Sequence, residues 1–168
     1  LKEDGRQIAI LPHGVLFRGA GEGKIREWLI KQHLINAVIG LPNKLFLNTS
    51  IPVCILVIER HSPDIFFIDA SEEFQKQSAQ NDMTDQQLKK IVDCFRERTD
   101  VERYAHRALY EEIEKNDYNL NIPRYVDIFE EEELPDIGAI LNTLDQIETE
   151  ERKTRSRLYD ILKNLTGS

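Results

Sequence analysis

Apolar residues along this 168-residue chain follow two different periods. Residues 7–11 form a short apolar run stopped at Pro12, and read as a buried strand. Gly19, Gly21 and Gly23 give a flexible entry to a helix over residues 22–34, with Ile25, Trp28, Leu29 and Ile30 directed inward. Residues 35–39 are a second apolar run, closed by Gly40-Leu41-Pro42. Val53–Glu59 carries the clearest strand signal, because Val-Cys-Ile-Leu-Val-Ile is apolar throughout, as in a strand covered on both faces. His61-Ser62-Pro63-Asp64 has turn chemistry, and residues 65–69 read as a further strand running antiparallel to it. Strand, helix and three strands describe one half of a wound α/β sheet.

After Ala70 the character changes. Thr84 followed by Gln87 resembles a capping box that opens a helix with Leu88, Ile91, Val92 and Phe95 on one face. A short strand is expected near residues 104–108, then a helical turn over residues 109–114. Residues 116–125 read as a polar loop stopped by Pro123, and Glu130–Glu133 as a solvated acidic face. From Asp136 a single helix of about 30 residues, roughly 45 Å long, is predicted. Ile137, Ile140 or Leu141, Leu144, Ile147, Glu151, Thr154, Leu158, Ile161 and Leu165 recur at spacings of three and four. That approaches a heptad seam with a polar middle. Such a stripe exceeds what a small lobe covers, and it points to a partner helix.

Composition sharpens this picture at two points. The net charge of -8 argues against strong autonomous binding to DNA, but residues 1–60 carry a net +3 and residues 61–168 a net -11. A nucleic-acid-facing part therefore belongs near the front, and the acidic remainder suits protein contact or solubility. Two cysteines, Cys54 and Cys94, make no disulfide framework and no metal spacing, and the four histidines are scattered. No metal site, membrane span or signal peptide is expected, and a cytoplasmic location is the simple reading. The chain starts at Leu1 and runs almost at once into a strand, so it reads as a fragment.

Several chemical readings compete. Gly19-Ala20-Gly21-Glu22-Gly23-Lys24 fails as a phosphate loop, since the spacing between glycines is too short and Ile25 follows the Lys. It also fails as a dinucleotide fingerprint, because Lys24 stands at the third glycine position. No Ser, His and Asp constellation stands out, and Asp69 reads as the polar end of a strand. His13 sits where a strand ends, a position that suits either a site or a structural turn. Phe46, in the loop ahead of the apolar strand, could offer its ring to an extruded base, which such enzymes hold by stacking. Spacing alone favours the alternative, in which Phe46 plugs the core between Leu45 and Leu47.

Six phrases in order change that balance. Leu11-Pro12-His13-Gly14-Val15-Leu16-Phe17, Gly23-Lys24-Ile25-Arg26, Gly40-Leu41-Pro42, Ile51-Pro52-Val53-Cys54-Ile55-Leu56-Val57, Phe67-Ile68-Asp69-Ala70 and Asn116-Asp117-Tyr118-Asn119-Leu120-Asn121 together resemble the modification subunit of bacterial type I restriction systems. That family methylates adenine N6 in DNA. The resemblance implies the C-terminal part of a Rossmann-like sheet that uses S-adenosylmethionine, followed by a helical extension. Residues 1–70 would supply later strands of the catalytic domain, residues 71–134 an extension of that lobe, and residues 135–168 a helix for subunit contact.

It implies base stacking by Phe46, with Pro12, His13, Gly14, Asn48 and Thr49 lining the pocket. It also implies subunit contact through Leu141, Leu144, Ile147, Leu158, Ile161 and Leu165. The family's cofactor loop and its Asn/Asp-Pro-Pro-aromatic motif are not in this sequence, so no catalytic residue is assigned. The isolated fragment is expected to bind no cofactor and to be inactive. The implied partners are a specificity subunit, a second modification subunit, an optional restriction subunit, and DNA in the assembled complex. Two other readings stay open: a non-catalytic assembly module derived from a methyltransferase, and a stand-alone nucleotide-binding α/β domain.

Overall fold

The apolar runs assemble, in a computed structural model, into a mixed α/β fold built on a five-stranded sheet. The structure describes residues 2, 4–47, 50–60, 62–77, 80–127 and 137–166. The strands are β1 (Arg6–Pro12), β2 (Ile35–Gly40), β3 (Val53–Glu59), β4 (Ile65–Asp69) and β5 (Ala105–Ala108). Helices α1 (Ala20–Lys31), α2 (Asp85–Glu97) and α3 (Tyr110–Lys115) accompany them. Residues 1–129 form one compact unit, and a separate unit from residue 130 contains the 30-residue helix α4 (Ile137–Thr166).

The sheet order is β1-β3-β2-β4-β5. β3 lies antiparallel between β1 and β2, β2 is parallel to β4, and β4 is antiparallel to β5. The strand at 65–69 thus runs opposite to β3, as expected, but its hydrogen-bonded neighbour is β2. Both edges of β3 are already taken. A register shift between Ile35 and Ala37 bulges β2 at Asn36, whose Oδ1 accepts 2.9 Å from Arg98 Nη1. Arg98 also pairs with the buried carboxylate of Asp64, so one guanidinium holds the bulge and the β4 entry together.

Side chains alternate between two apolar layers, as the strand period requires. Leu16, Ile30, Val38, Cys54, Leu56, Ile65, Phe67, Ile113, Leu120 and Ile122 fill one layer. Ala37, Ile39, Val57, Phe66, Ile68, Ile91 and Tyr104 fill the other, under α2. The expected capping box is present, with Thr84 Oγ1 accepting 3.3 Å from the Gln87 N–H and Gln87 Oε1 accepting 2.9 Å from the Thr84 N–H.

Three expectations need correction. α1 ends at Lys31 rather than near Leu34, because His33 takes a left-handed φ of 53° and the Leu34 N–H turns back 3.1 Å to Leu29 O. Its inward face carries Ile30 and Arg26, while Ile25 is 64% exposed and Trp28 also stands in solvent. Residues 116–125 are not simply a polar loop. Leu120, Ile122 and Tyr125 are buried, and the Tyr125 ring stacks 4.0 Å from Phe67.

The acidic run at 130–133 lies outside the described residues. Among the described residues no helix is long and apolar enough to cross a membrane. Phe67→Ala is expected to lower the unfolding free energy by about 3–5 kcal/mol. Ile25→Ser should cost less than about 1 kcal/mol. Urea denaturation measures both, and a large loss at Ile25 would contradict the exposed helix face.

Candidate functional site at the carboxyl ends of the strands

Antiparallel insertion of β3 brings the carboxyl ends of β1, β2 and β4 to the same end of the sheet as the start of β3. At that end the chain turns through Pro12-His13-Gly14, Gly40-Leu41-Pro42, Pro52-Val53 and Asp69-Ala70. His13 is half-buried, with Nε2 2.9 Å from Val53 O and its N–H donating 3.4 Å to Pro52 O. A carbonyl only accepts, so this contact places a proton on Nε2. The ring is thereby tied to β3, which makes His13 a structural pin of the site. Pro12 is exposed at the end of β1, and Gly14 is buried in the one-turn 3-10 helix His13–Leu16.

Gly40 is the point of closest approach. A Cβ there would stand 2.7 Å from Ile122 Cδ1, 3.7 Å from His13 Cε1 and 3.8 Å from Asp69 Oδ1. Four segments far apart in sequence therefore meet at Gly40. Asp69 Oδ1 accepts 2.9 Å from the Ser71 N–H, so this carboxylate closes its own turn.

A buried guanidinium connects the phrases around this end. Arg26 Nη1 donates to Val15 O and Arg18 O, each at 2.9 Å, and Nε donates 2.8 Å to Tyr118 O. Burial disfavours its charge and lowers its pKa, while the Glu22 carboxylate opposes that shift. The carbonyls it binds include that of Tyr118, which with Asp117 adopts a left-handed φ near 55°. Such conformations cost on the order of 1–3 kcal/mol each unless the surroundings enforce them. Next in line, the Leu120 N–H donates 2.9 Å to Leu16 O and draws this segment under the sheet.

The loop after β2 carries Phe46. Pro42 is buried and Leu45 packs against the α2-side layer, whereas the Phe46 ring is 43% exposed and Leu47 more so. Phe46 therefore does not plug the core. Asn48 and Thr49 lie outside the described residues. Arg18, Lys24, Lys44 and Arg124 are exposed cations. The Cys54 thiol on β3, beside Leu11 O of β1, is pushed up to about 11 by burial, which disfavours its thiolate.

Two apolar clefts flank the edge strand β1. One, of about 220 Å³, is lined by residues such as Leu11, Val15, Ile25 and Leu29, and the other, of about 210 Å³, by Ile8, Ile55, Val57 and Phe95. Both linings are mainly apolar, with Glu22 and Arg26 the charged residues of the first and Arg6 that of the second. These are fewer polar partners than the sulfonium, amino-acid and ribose groups of S-adenosylmethionine call for. Among the described residues no group of three metal-ligating side chains comes together. Of the residues singled out from sequence, Pro12, His13 and Gly14 share the strand end. Asp69, Ile122 and Arg26 had no local signal marking them as partners of that end.

In α4 the seam residues Leu141, Leu144, Ile147, Leu158 and Ile161 are all about half exposed or more. Leu165 falls in the helix, with its side chain outside the described set. Helical ion pairs Glu148–Arg152 and Glu151–Arg155 occupy the polar middle.

A family model of N-6 DNA methylases matches residues 1–134. The chain is 32% identical over 168 residues to the type I restriction enzyme MpnII methylase subunit of Mycoplasma pneumoniae, covering 98% of this chain and 31% of that protein. It is 38% identical to the MjaVII methylase subunit of Methanocaldococcus jannaschii, covering 93% of this chain and 28% of that protein. The crystal structure of a type I restriction-modification methyltransferase subunit from Streptococcus thermophilus superposes with a TM-score of 0.75 at 51% identity. That likeness covers 77% of this chain and 28% of the other. The chain thus spans about three tenths of the length of the curated relatives it matches.

The crowding at Gly40 gives a direct test. Gly40→Ala should cost about 1–3 kcal/mol. In an Ile122→Val background, which removes the colliding Cδ1, the cost should fall. A double-mutant cycle by chemical denaturation reads the coupling, and an equal cost in both backgrounds would mean the two residues do not share that space.

Proposed function

This chain belongs to the N-6 DNA methylase family, and we propose that it forms the later part of a type I restriction-modification methyltransferase subunit. The whole protein would transfer a methyl group from S-adenosylmethionine to adenine N6 in a specific DNA sequence. The observation that carries this reading is the 51% identity and 0.75 TM-score with the Streptococcus thermophilus subunit.

Within that reading, residues 1–70 supply the later strands of a Rossmann-like catalytic sheet and one wall of the target-base pocket. Residues 71–134 extend the lobe, and residues 135–168 dock the specificity subunit in a complex with a second modification subunit. The edge strand supports a larger sheet. β1 pairs only with β3 among the described residues, and Ile8 and Ile10 on it are 63% and 54% exposed. An open apolar edge of this kind is a surface proteins ordinarily cover. In our proposal the cofactor loop and the amine-orienting motif belong to that covering part, and these 168 residues alone do not methylate.

Phe46 holds the extruded adenine by stacking, and the exposed cation Lys44, two residues before it, suits a flanking phosphate. Its exposed ring, ahead of the central strand, supports that role. Pro12, His13 and Gly14 form the adjoining wall. The exposed seam of α4 supports a helical partner, since a half-exposed Leu and Ile stripe at heptad spacing is completed by another helix.

Two measurements test these assignments in the full-length subunit. Phe46→Ala should reduce adenine methylation roughly tenfold or more, the range expected when a base loses an aromatic platform. Unchanged turnover would remove Phe46 from the site. Leu144→Asp or Leu158→Asp should abolish co-elution with the specificity subunit on size exclusion, and unaltered co-elution would defeat the docking role of α4.

A further inference from the structure

Three consecutive backbone carbonyls lead to Phe46, and one short segment binds all of them. Asn81 Nδ2 donates 2.9 Å to Asn43 O and 3.2 Å to Asn43 Oδ1. The Asn81 N–H donates 2.9 Å to Lys44 O, and Gln80 Nε2 donates 2.6 Å to Leu45 O. Asn81 is only 5% exposed. Lys44, at the middle carbonyl, holds a left-handed φ of 54°, which an L side chain keeps only when its neighbours enforce it.

The clamp is itself anchored. Gln75 and Asp82 exchange backbone hydrogen bonds of 2.7 and 3.1 Å. Met83 packs on the α2-side layer, and Thr84 then caps α2. A rigid path therefore runs from the α2 N-terminus through Asn81 to the residue before Phe46. Nothing in the fold of the sheet requires this bonding pattern, since the carbonyls of an exposed loop are ordinarily satisfied by water.

We propose that Asn81, assisted by Gln80, is a positioning residue that fixes the loop 43–45 so that the Phe46 ring is preset to receive the extruded base. This rests on the stacking role proposed above for Phe46. The amide at 81 is needed for its donor, because each group it faces at 43 is an oxygen. Presetting matters because an aromatic platform that must first be ordered loses part of its stacking free energy to that ordering.

The test uses the full-length subunit in complex with its specificity subunit, and DNA carrying 5-iodouracil in place of the adenine that the complex methylates. Ultraviolet light joins this base to an aromatic ring stacked on it, and peptide mapping identifies the ring. Wild-type protein should crosslink at Phe46. Yield and kcat are both normalised to the fraction of folded complex that binds DNA, measured by active-site titration. On that basis Asn81→Ala and Gln80→Ala should each reduce the yield several-fold and kcat in parallel, with KM for DNA within about twofold.

Crosslinking absent at Phe46 in the wild type would overturn the stacking role, and the positioning role with it. Crosslinking at Phe46 with wild-type yield in both variants would overturn the positioning role alone. If Asn81→Ala fails to fold, the half-buried Gln80→Ala decides the question by the same yield.

Discussion

The constraint on which the rest of this structure depends is that β3 must be covered on two edges and two faces at once. Val53–Ile58 has no polar side chain to offer to solvent, and its backbone groups need partners on both sides. β1 and β2 meet the edge requirement, both antiparallel. β4 is thereby excluded from β3 and goes beyond β2, parallel to it. That single arrangement collects the ends of β1, β2 and β4 and the start of β3 at one end of the sheet. These turns meet there because the strand directions give them that one common end.

Polar side chains then fix the turns that the sheet has only gathered. Arg26 binds the carbonyls of Val15, Arg18 and Tyr118 from inside the fold. Asn81 and Gln80 bind those of Asn43, Lys44 and Leu45. Arg98 does the same for the bulge at Asn36 on the far side of β2. Most of these bonds join a side-chain donor to a main-chain oxygen; Lys44 O instead takes the Asn81 N–H, and Arg98 binds both Oδ1 and O of Asn36. Left-handed residues sit beside two of these anchors, Lys44 and the Asp117-Tyr118 pair. Local strain is tolerated there because several bonds oppose its relaxation.

Much of the element order was legible before any coordinates. The β3 boundaries, the Thr84 capping box and the bend at Pro63-Asp64 all follow from period and local chemistry. The helix face of α1 was less legible. Ile25 and Trp28 look like core residues on an apolar stripe, yet both are exposed on α1. Arg26 looks like a surface residue, yet three carbonyls converge on it. The end of α1 was also missed, because a histidine in a left-handed turn leaves no mark that distinguishes it from a helical one.

Sequence by itself determined that the chain is a mixed α/β fold built on a sheet, and that Phe46 lies in the loop ahead of its most apolar strand. Those properties rest on periods and turn residues, which act between near neighbours. Only the tertiary structure decided that Gly40 touches Ile122, His13 and Asp69, that Arg26 is buried, and that residues 80–81 hold the Phe46 loop. Apart from the bonds of Arg26 to Val15 and Arg18, those contacts join residues 27 to 92 positions apart. Their energies depend on which carbonyl lies within about 3 Å of a donor, and no local pattern encodes that distance.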